Sequence, residues 1–232
     1  MDIIITDLTR FVNPDIVCTA GINPETNQCI RPMPYLPTGE CQRLNILPGA
    51  ILRGNFVATR SEKPHSEDRR VSGRLSFVGP CKSEKFRKIL EATLSNSVEE
   101  GFGIALQEGQ KHIPMEGAPE ISIITLRVEP WELEIVADRY KEGRIKAIFT
   151  DGAGMVFRYL PITDLGFYNY AMREYENNRI DELNQFIYAQ NEVFLRLGLS
   201  RAHRADDGRN GFWLQVNGIY TFPEYLEDIR SH

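Results

Sequence analysis

The residues with chemistry to offer fall mainly in two stretches. The first is His65-Ser66-Glu67-Asp68, a histidine and two carboxylates inside a charged loop that runs over residues 60–70. An imidazole that meets a carboxylate can move a proton, and with a metal the pair can activate water. Adjacent Glu67 and Asp68 point to opposite sides of an extended backbone, however, and no recognised motif joins them to a second acidic cluster. A structural loop therefore outweighs a hydrolase or nuclease centred on His65 and Asp68. The second stretch is 212–222, where strict alternation puts Trp213, Gln215, Asn217, Ile219 and Thr221 on one strand face and Phe212, Leu214, Val216, Tyr220 and Phe222 on the other. A flat indole, a tyrosine ring and two amides beside an Arg-rich loop (Arg201, Arg204, Arg209) suit the stacking and hydrogen bonding of unpaired bases. The bland alternative has Trp213 packed under a helix and the loop solvated, since Asp206 and Asp207 sit among its arginines.

Further cations extend the pattern. Arg31, between Ile30 and Pro32 at a strand end, needs a partner, either a phosphate or a buried carboxylate such as Asp7. Arg69 and Arg70 belong, with His65, to the most basic neighbourhood of the chain, which extends from Arg53 to Arg74. Cys18, Cys29, Cys41 and Cys81 stand apart with no Cys-x-x-Cys pair, so they read as small hydrophobes rather than zinc ligands. No glycine-rich phosphate loop and no nucleophile elbow is present, and nothing calls for a cofactor.

The elements that must position these residues are mostly strands. Runs at 3–8, 16–22, 28–31, 50–59 and 71–78 are separated by Gly and Pro turns, as a small closed barrel requires. A helix is expected from Ser83 as N-cap toward Gly101. Strand patterns resume at 121–128 and 131–137, a hairpin at 144–160, and helices follow Thr163 or Asp164 and Ile180. The expected organisation is mainly β with a few helices: a first barrel over 1–100, a linker over 101–119, and a second barrel with inserted helices over 120–232.

The chain resembles the prokaryotic dual-OB proteins. The resemblance rests on Val17-Cys18-Thr19-Ala20-Gly21, Cys29-Ile30-Arg31-Pro32 and Pro64-His65-Ser66-Glu67-Asp68. It also rests on Leu160-Pro161-Ile162-Thr163-Asp164 and Leu197-Gly198-Leu199-Ser200-Arg201. Similar proteins carry an aromatic residue after the acidic pair, where this chain has Arg69. The resemblance implies two tandem OB-like Greek-key barrels and recognition of nucleic acid.

Composition narrows the function classes. With 42% hydrophobic and 25% charged residues, the 232-residue chain is an ordinary globular one, and its net charge of −5 restricts any polyanion site to a local patch. No apolar run approaches the roughly 20 residues of a membrane span, and the N-terminus lacks signal-peptide character, so no membrane partner and a cytoplasmic location are expected. The leading expectation is a non-catalytic binder of single-stranded RNA or DNA, or of a modified nucleotide, through Arg31, His65, Arg69, Arg70, Arg201, Trp213, Gln215, Asn217 and Tyr220. The alternative is a protein-interaction subunit of a larger complex.

Overall fold

Three consecutive isoleucines, Ile3-Ile4-Ile5, are fully buried and divide by parity. Ile3 and Ile5 enter the core of the N-terminal half, whereas Ile4 enters a second core with Phe86, Phe194, Tyr220 and Phe222. A strand that is apolar on both faces must be covered on both, and this sets the architecture. The computed structural model describes residues 1–60 and 62–230. It is mainly β, with two curled half-barrel sheets and a few helices.

The N-terminal sheet comprises β1 (Asp2–Arg10), β2 (Ile16–Ile22), β3 (Cys29–Met33), β4 (Leu36–Pro37), β5 (Ala50–Arg53), β6 (Phe56–Ala58), β7 (Asp68–Val71) and β8 (Ser76–Pro80), with α1 (Thr38–Arg43) between β4 and β5. Its order is β6-β7-β3-β2-β1-β5-β8, with β4 beside β2. β5 and β6 lie near opposite ends of this order, yet only Gly54 and Asn55 connect them. Three peptide steps reach roughly 10 Å, so the sheet must curl until its ends approach. The expected continuous strands at 50–59 and 71–78 are each split, the first at Gly54-Asn55 and the second around Gly73, whose φ of +84° favours glycine.

α2 (Ser83–Glu91) is shorter than expected, and Lys82 rather than Ser83 is its N-cap residue. β9 (Leu94–Ser95) follows and α3 (Val98–Phe102) restarts the helix, with Ser97 Oγ accepting from the Glu100 N–H. The C-terminal sheet runs β10 (His112–Pro114), β17 (Asn210–Phe222), β15 (Glu192–Leu199), β11 (Ile123–Val128), β9, with β16 (His203–Arg204) beside β17. β12 (Leu133–Ala137), β13 (Ile145–Thr150) and β14 (Val156–Pro161) form a three-stranded sheet, and α4 (Leu165–Glu176) and α5 (Ile180–Tyr188) pack on the same core. Residues 101–119, expected as a linker, place Phe102, Leu106 and Ile113 in that core and pair β10 with β17.

One residue redirects the last strand. Arg196 pairs with Gly218 and Leu197 with Val216, which makes Asn217 an inserted bulge residue. Phe212, Leu214 and Val216 before the bulge and Ile219 after it share the C-terminal core, while Tyr220 and Phe222 turn to the opposite side. Strict alternation over 212–222 therefore fails at Asn217. Its Oδ1 accepts from Thr163 Oγ1 at 3.0 Å, and the bulge needs Gly198, where a Cβ would lie 2.1 Å from Asn217 Nδ2. Of the two caps expected for α4, Asp164 serves: its Oδ1 accepts from the Phe167 N–H and its Oδ2 from the Ile219 N–H just past the bulge. Burial pushes this carboxyl up to about 7.

The two halves meet across a seam that is apolar around Ile4, Ile22, Phe86, Phe194 and Tyr220 and ionic beside it. Arg196 is 1% exposed. Its Nε donates to Asp7 Oδ2 at 3.0 Å, one terminal nitrogen donates to Thr125 Oγ1 at 2.6 Å, and the other lies 3.0 Å from Asp7 Oδ2 and 3.3 Å from Cys29 Sγ. Removing one partner of such a pair leaves the other charge buried and uncompensated. Asp7→Asn is expected to cost about 3–5 kcal/mol in urea unfolding, whereas Asp7→Leu combined with Arg196→Met recovers most of that loss. A cost for Asp7→Asn no greater than that of an exposed substitution contradicts the assignment.

Candidate nucleic-acid interface

The expected site residues separate into two groups. Arg31 and Arg201 converge with His65, Glu67 and Asp68 on the seam. Arg31 Nε donates to Asp68 Oδ1 at 2.6 Å, a terminal nitrogen donates to Ser122 Oγ at 3.2 Å, and the other is 3.9 Å from Glu67 Oε2. Its partners are thus Asp68 and Glu67, and Asp7 is taken by Arg196. Arg201 holds Asp68 Oδ2 at 2.9 Å and donates from Nε to Tyr35 Oη at 2.7 Å. Burial opposes the charge on Asp68, yet the two guanidinium groups hold its carboxyl below the usual range. Glu67 accepts from the Ser122 and Ile123 N–H groups at 2.5 and 3.0 Å and from Ser122 Oγ. Both carboxylates are therefore occupied in tying the halves together.

His65 is buried, with both ring nitrogens unpaired and its ring edge-on to Phe212. It bonds to neither carboxylate, so the proton-transfer pair that acid–base chemistry requires is not assembled here. Burial and then the neighbouring Arg31 and Arg201 lower its pKa to about 3. Arg69 donates to the Ser66 and Asp68 carbonyls and borders a cleft of about 360 Å³ on the seam. Arg70 is exposed on β7. Tyr220 is 1% exposed and donates its hydroxyl to the Thr6 carbonyl at 2.7 Å. Asn217 is buried in its bulge, and Gln215 is half-buried beside Gly198.

Trp213 belongs to the second group. Its ring lies between His203, stacked at 3.9 Å and 28°, and His112 at 4.5 Å and 48°. Two of these rings, His112 and Trp213, line a cleft of about 630 Å³ whose walls include Lys111, Lys146, Arg209, Tyr159, Gln107 and Gln110. A second cleft of about 250 Å³, lined by Arg10, Phe11, Arg144 and Tyr168, shares Lys146 and Pro161 with it. Among the described residues no carboxylate lines either cleft. Lys111 reports the local field: burial, then the Lys146 ammonium, press it below the ordinary lysine value. Two carboxylates stand nearby, since Arg209 pairs with Asp207 and Lys146 lies 3.6 Å from Asp138.

The local backbone is built for this opening. β14 carries an irregularity between Phe157 and Leu160, which leaves Tyr159 with a φ of +58°. A bulky side chain in the left-handed region is costly and is held there only by its surroundings. Lys111 Nζ donates to the Arg158 carbonyl at 2.8 Å, joining the segment before β10 to this bulge.

No family model, curated protein or solved structure matches the chain. No helix among the described residues is long and apolar enough to cross a membrane, and no three His, Cys, Asp or Glu side chains group there as a metal site.

Sequence reasoning singled out Trp213 and the loop carrying Arg209, but missed His203, His112, Lys111, Lys146, Tyr159, Arg144 and Arg10. These come from segments spread across the chain, and only the β10–β17 and β13–β14 pairings bring most of them together. No local pattern signals them.

The state of His65 fixes a pH dependence. The unfolded imidazole takes a proton below about 6.5, whereas the folded one resists until about 3. Its stability contribution is therefore complete above about 6.5 and lost progressively as the pH falls toward 3. The difference in unfolding free energy between the native chain and His65→Gln is expected to shift in favour of the variant between pH 7 and pH 4. A difference constant with pH contradicts a neutral buried His65.

Proposed function

We propose that this chain is a non-catalytic nucleic-acid-binding protein that captures single-stranded RNA or DNA in the groove beside Trp213. One observation carries the reading: a chain of net charge −5 presents a carboxylate-free cleft with Lys111, Lys146 and Arg209 in its walls and an aromatic column at its edge. Cations gathered against the global charge favour a polyanion, and a stacked aromatic column favours bases. Trp213 is already covered by His203 and His112, so the exposed outer face of His203 is where an incoming base extends the stack. Phosphates then fall to Lys111 and Lys146. The half-barrel architecture and the resemblance to prokaryotic dual-OB proteins support the same reading, with a cytoplasmic setting. In this reading Arg31 and Arg201 act through the seam: they hold the half that carries the groove and make no contact with the ligand.

A second reading, an interaction subunit of a larger complex, is favoured by Trp131 and Tyr140, which are 67% and 88% exposed.

Fluorescence anisotropy with single-stranded oligonucleotides distinguishes the two. The two phosphate contacts predict a log–log salt slope of about −1.4. Trp213→Ala and His203→Ala are each expected to weaken binding by roughly 5-fold or more, the lower end of base stacking. The double substitution Lys111→Glu and Lys146→Glu is expected to abolish it. Absent or salt-insensitive binding contradicts the proposal and moves the weight to the second reading.

A further inference from the structure

We infer that a bound strand continues past Lys146 into a second base subsite, built around Arg10 stacked on Tyr168, so that one strand spans both halves of the chain. This rests on the nucleic-acid reading of the Trp213 groove and deepens it.

The smaller cleft shares Lys146 and Pro161 with the larger one, so a strand whose phosphates meet Lys146 has the second cleft directly beyond. Arg10 ends β1, in the N-terminal half, and its backbone N–H donates to the Thr163 carbonyl at 2.8 Å, which fixes it against the C-terminal half. Its guanidinium lies 3.8 Å over the Tyr168 ring. Neither Arg10 nor Arg144 forms an ion pair among the described residues. A planar guanidinium backed by an aromatic ring keeps its plane and its donors oriented without carboxylate help. Its outer face is a stacking platform for a base and its edge a donor fork for phosphate. Arg144 is exposed on the approach to β13, and fully exposed Val12 projects beside the cleft from the segment after β1. The contrast with Arg31 and Arg196 is informative. Those two guanidinium groups are buried and each is paired with a carboxylate, Asp68 and Asp7 respectively, whereas Arg10 is held in place by a ring and has no ion-pair partner among the described residues.

The test is a series of single-stranded oligouridylates from trimer to dodecamer, titrated against the native chain, Arg10→Ala and Arg144→Ala. A longer strand offers more registers, which raises apparent affinity similarly in all three proteins. The second subsite adds about 10-fold for the native chain alone, within the range of stacking one further base. Trimer affinity is expected to be the same in all three, because the trimer occupies the Trp213 groove. Arg144 is exposed and bonds to nothing in the core, so its variant carries the test even where Arg10→Ala disturbs Tyr168. Equal length dependence in the native chain and the Arg144 variant overturns the second subsite while leaving the Trp213 reading intact. Absence of binding at every length overturns both. Equal competition by inorganic polyphosphate against trimer and dodecamer overturns base stacking at the second subsite.

Discussion

The contact on which the rest depends is the buried pair between Arg196 and Asp7. A guanidinium removed from water must find every partner inside the protein, and Arg196 takes them from β1, β3 and β11 at once: Asp7, Cys29 and Thr125. Those strands belong to different halves, so no arrangement with the halves apart satisfies the charge. Burial pushes the Cys29 thiol up to about 12, which keeps it neutral beside the guanidinium. The second ionic cluster, with Arg31 and Arg201 on Asp68 and Glu67 against the Ser122 and Ile123 amides, repeats the logic a short way along the seam. Arg31 and Asp68 pair within the N-terminal half, while Arg196–Asp7, Arg201–Asp68 and the Glu67 contacts to Ser122 and Ile123 cross between the two barrel-like units.

These contacts matter for the groove. Its walls are drawn from the segment before β10, from β13 and β14, and from the loop preceding β17, while the smaller cleft adds the end of β1. Burial first, and then the nearby Lys146 ammonium, disfavour the charge on Lys111. The scaffold has to hold the two lysines together in the free protein. On the proposed reading the seam arginines hold the structure and the groove lysines meet the ligand, a division of labour among residues of the same charge sign.

Much of the fold is legible in the sequence because burial writes it there. The strand at 121–128, the hairpin across Asp151-Gly152-Ala153-Gly154 and the Asp164 cap all follow from local chemistry. What was not legible depended on distant partners. Gly54 splits a strand because β6 pairs with β7 rather than continuing β5, and Asn217 flips a face because Gly198, on another strand, makes room for it. Arg31 needed a partner, and the sequence could not distinguish phosphate from carboxylate, since Asp68 reaches it only through the parallel pairing of β3 with β7. The candidate site was legible only in part: Trp213 by type and Arg209 through its loop, His203 and the surrounding lysines not at all.

The most direct test of the central claim is photo-crosslinking of a 4-thiouridine-substituted single strand to the intact chain, with the adducts located by mass spectrometry. The account predicts adducts on the peptides carrying Trp213, His203 and Tyr159, suppressed by high salt. Adducts confined to the Arg69–Arg70 segment, or none at low salt, would contradict it.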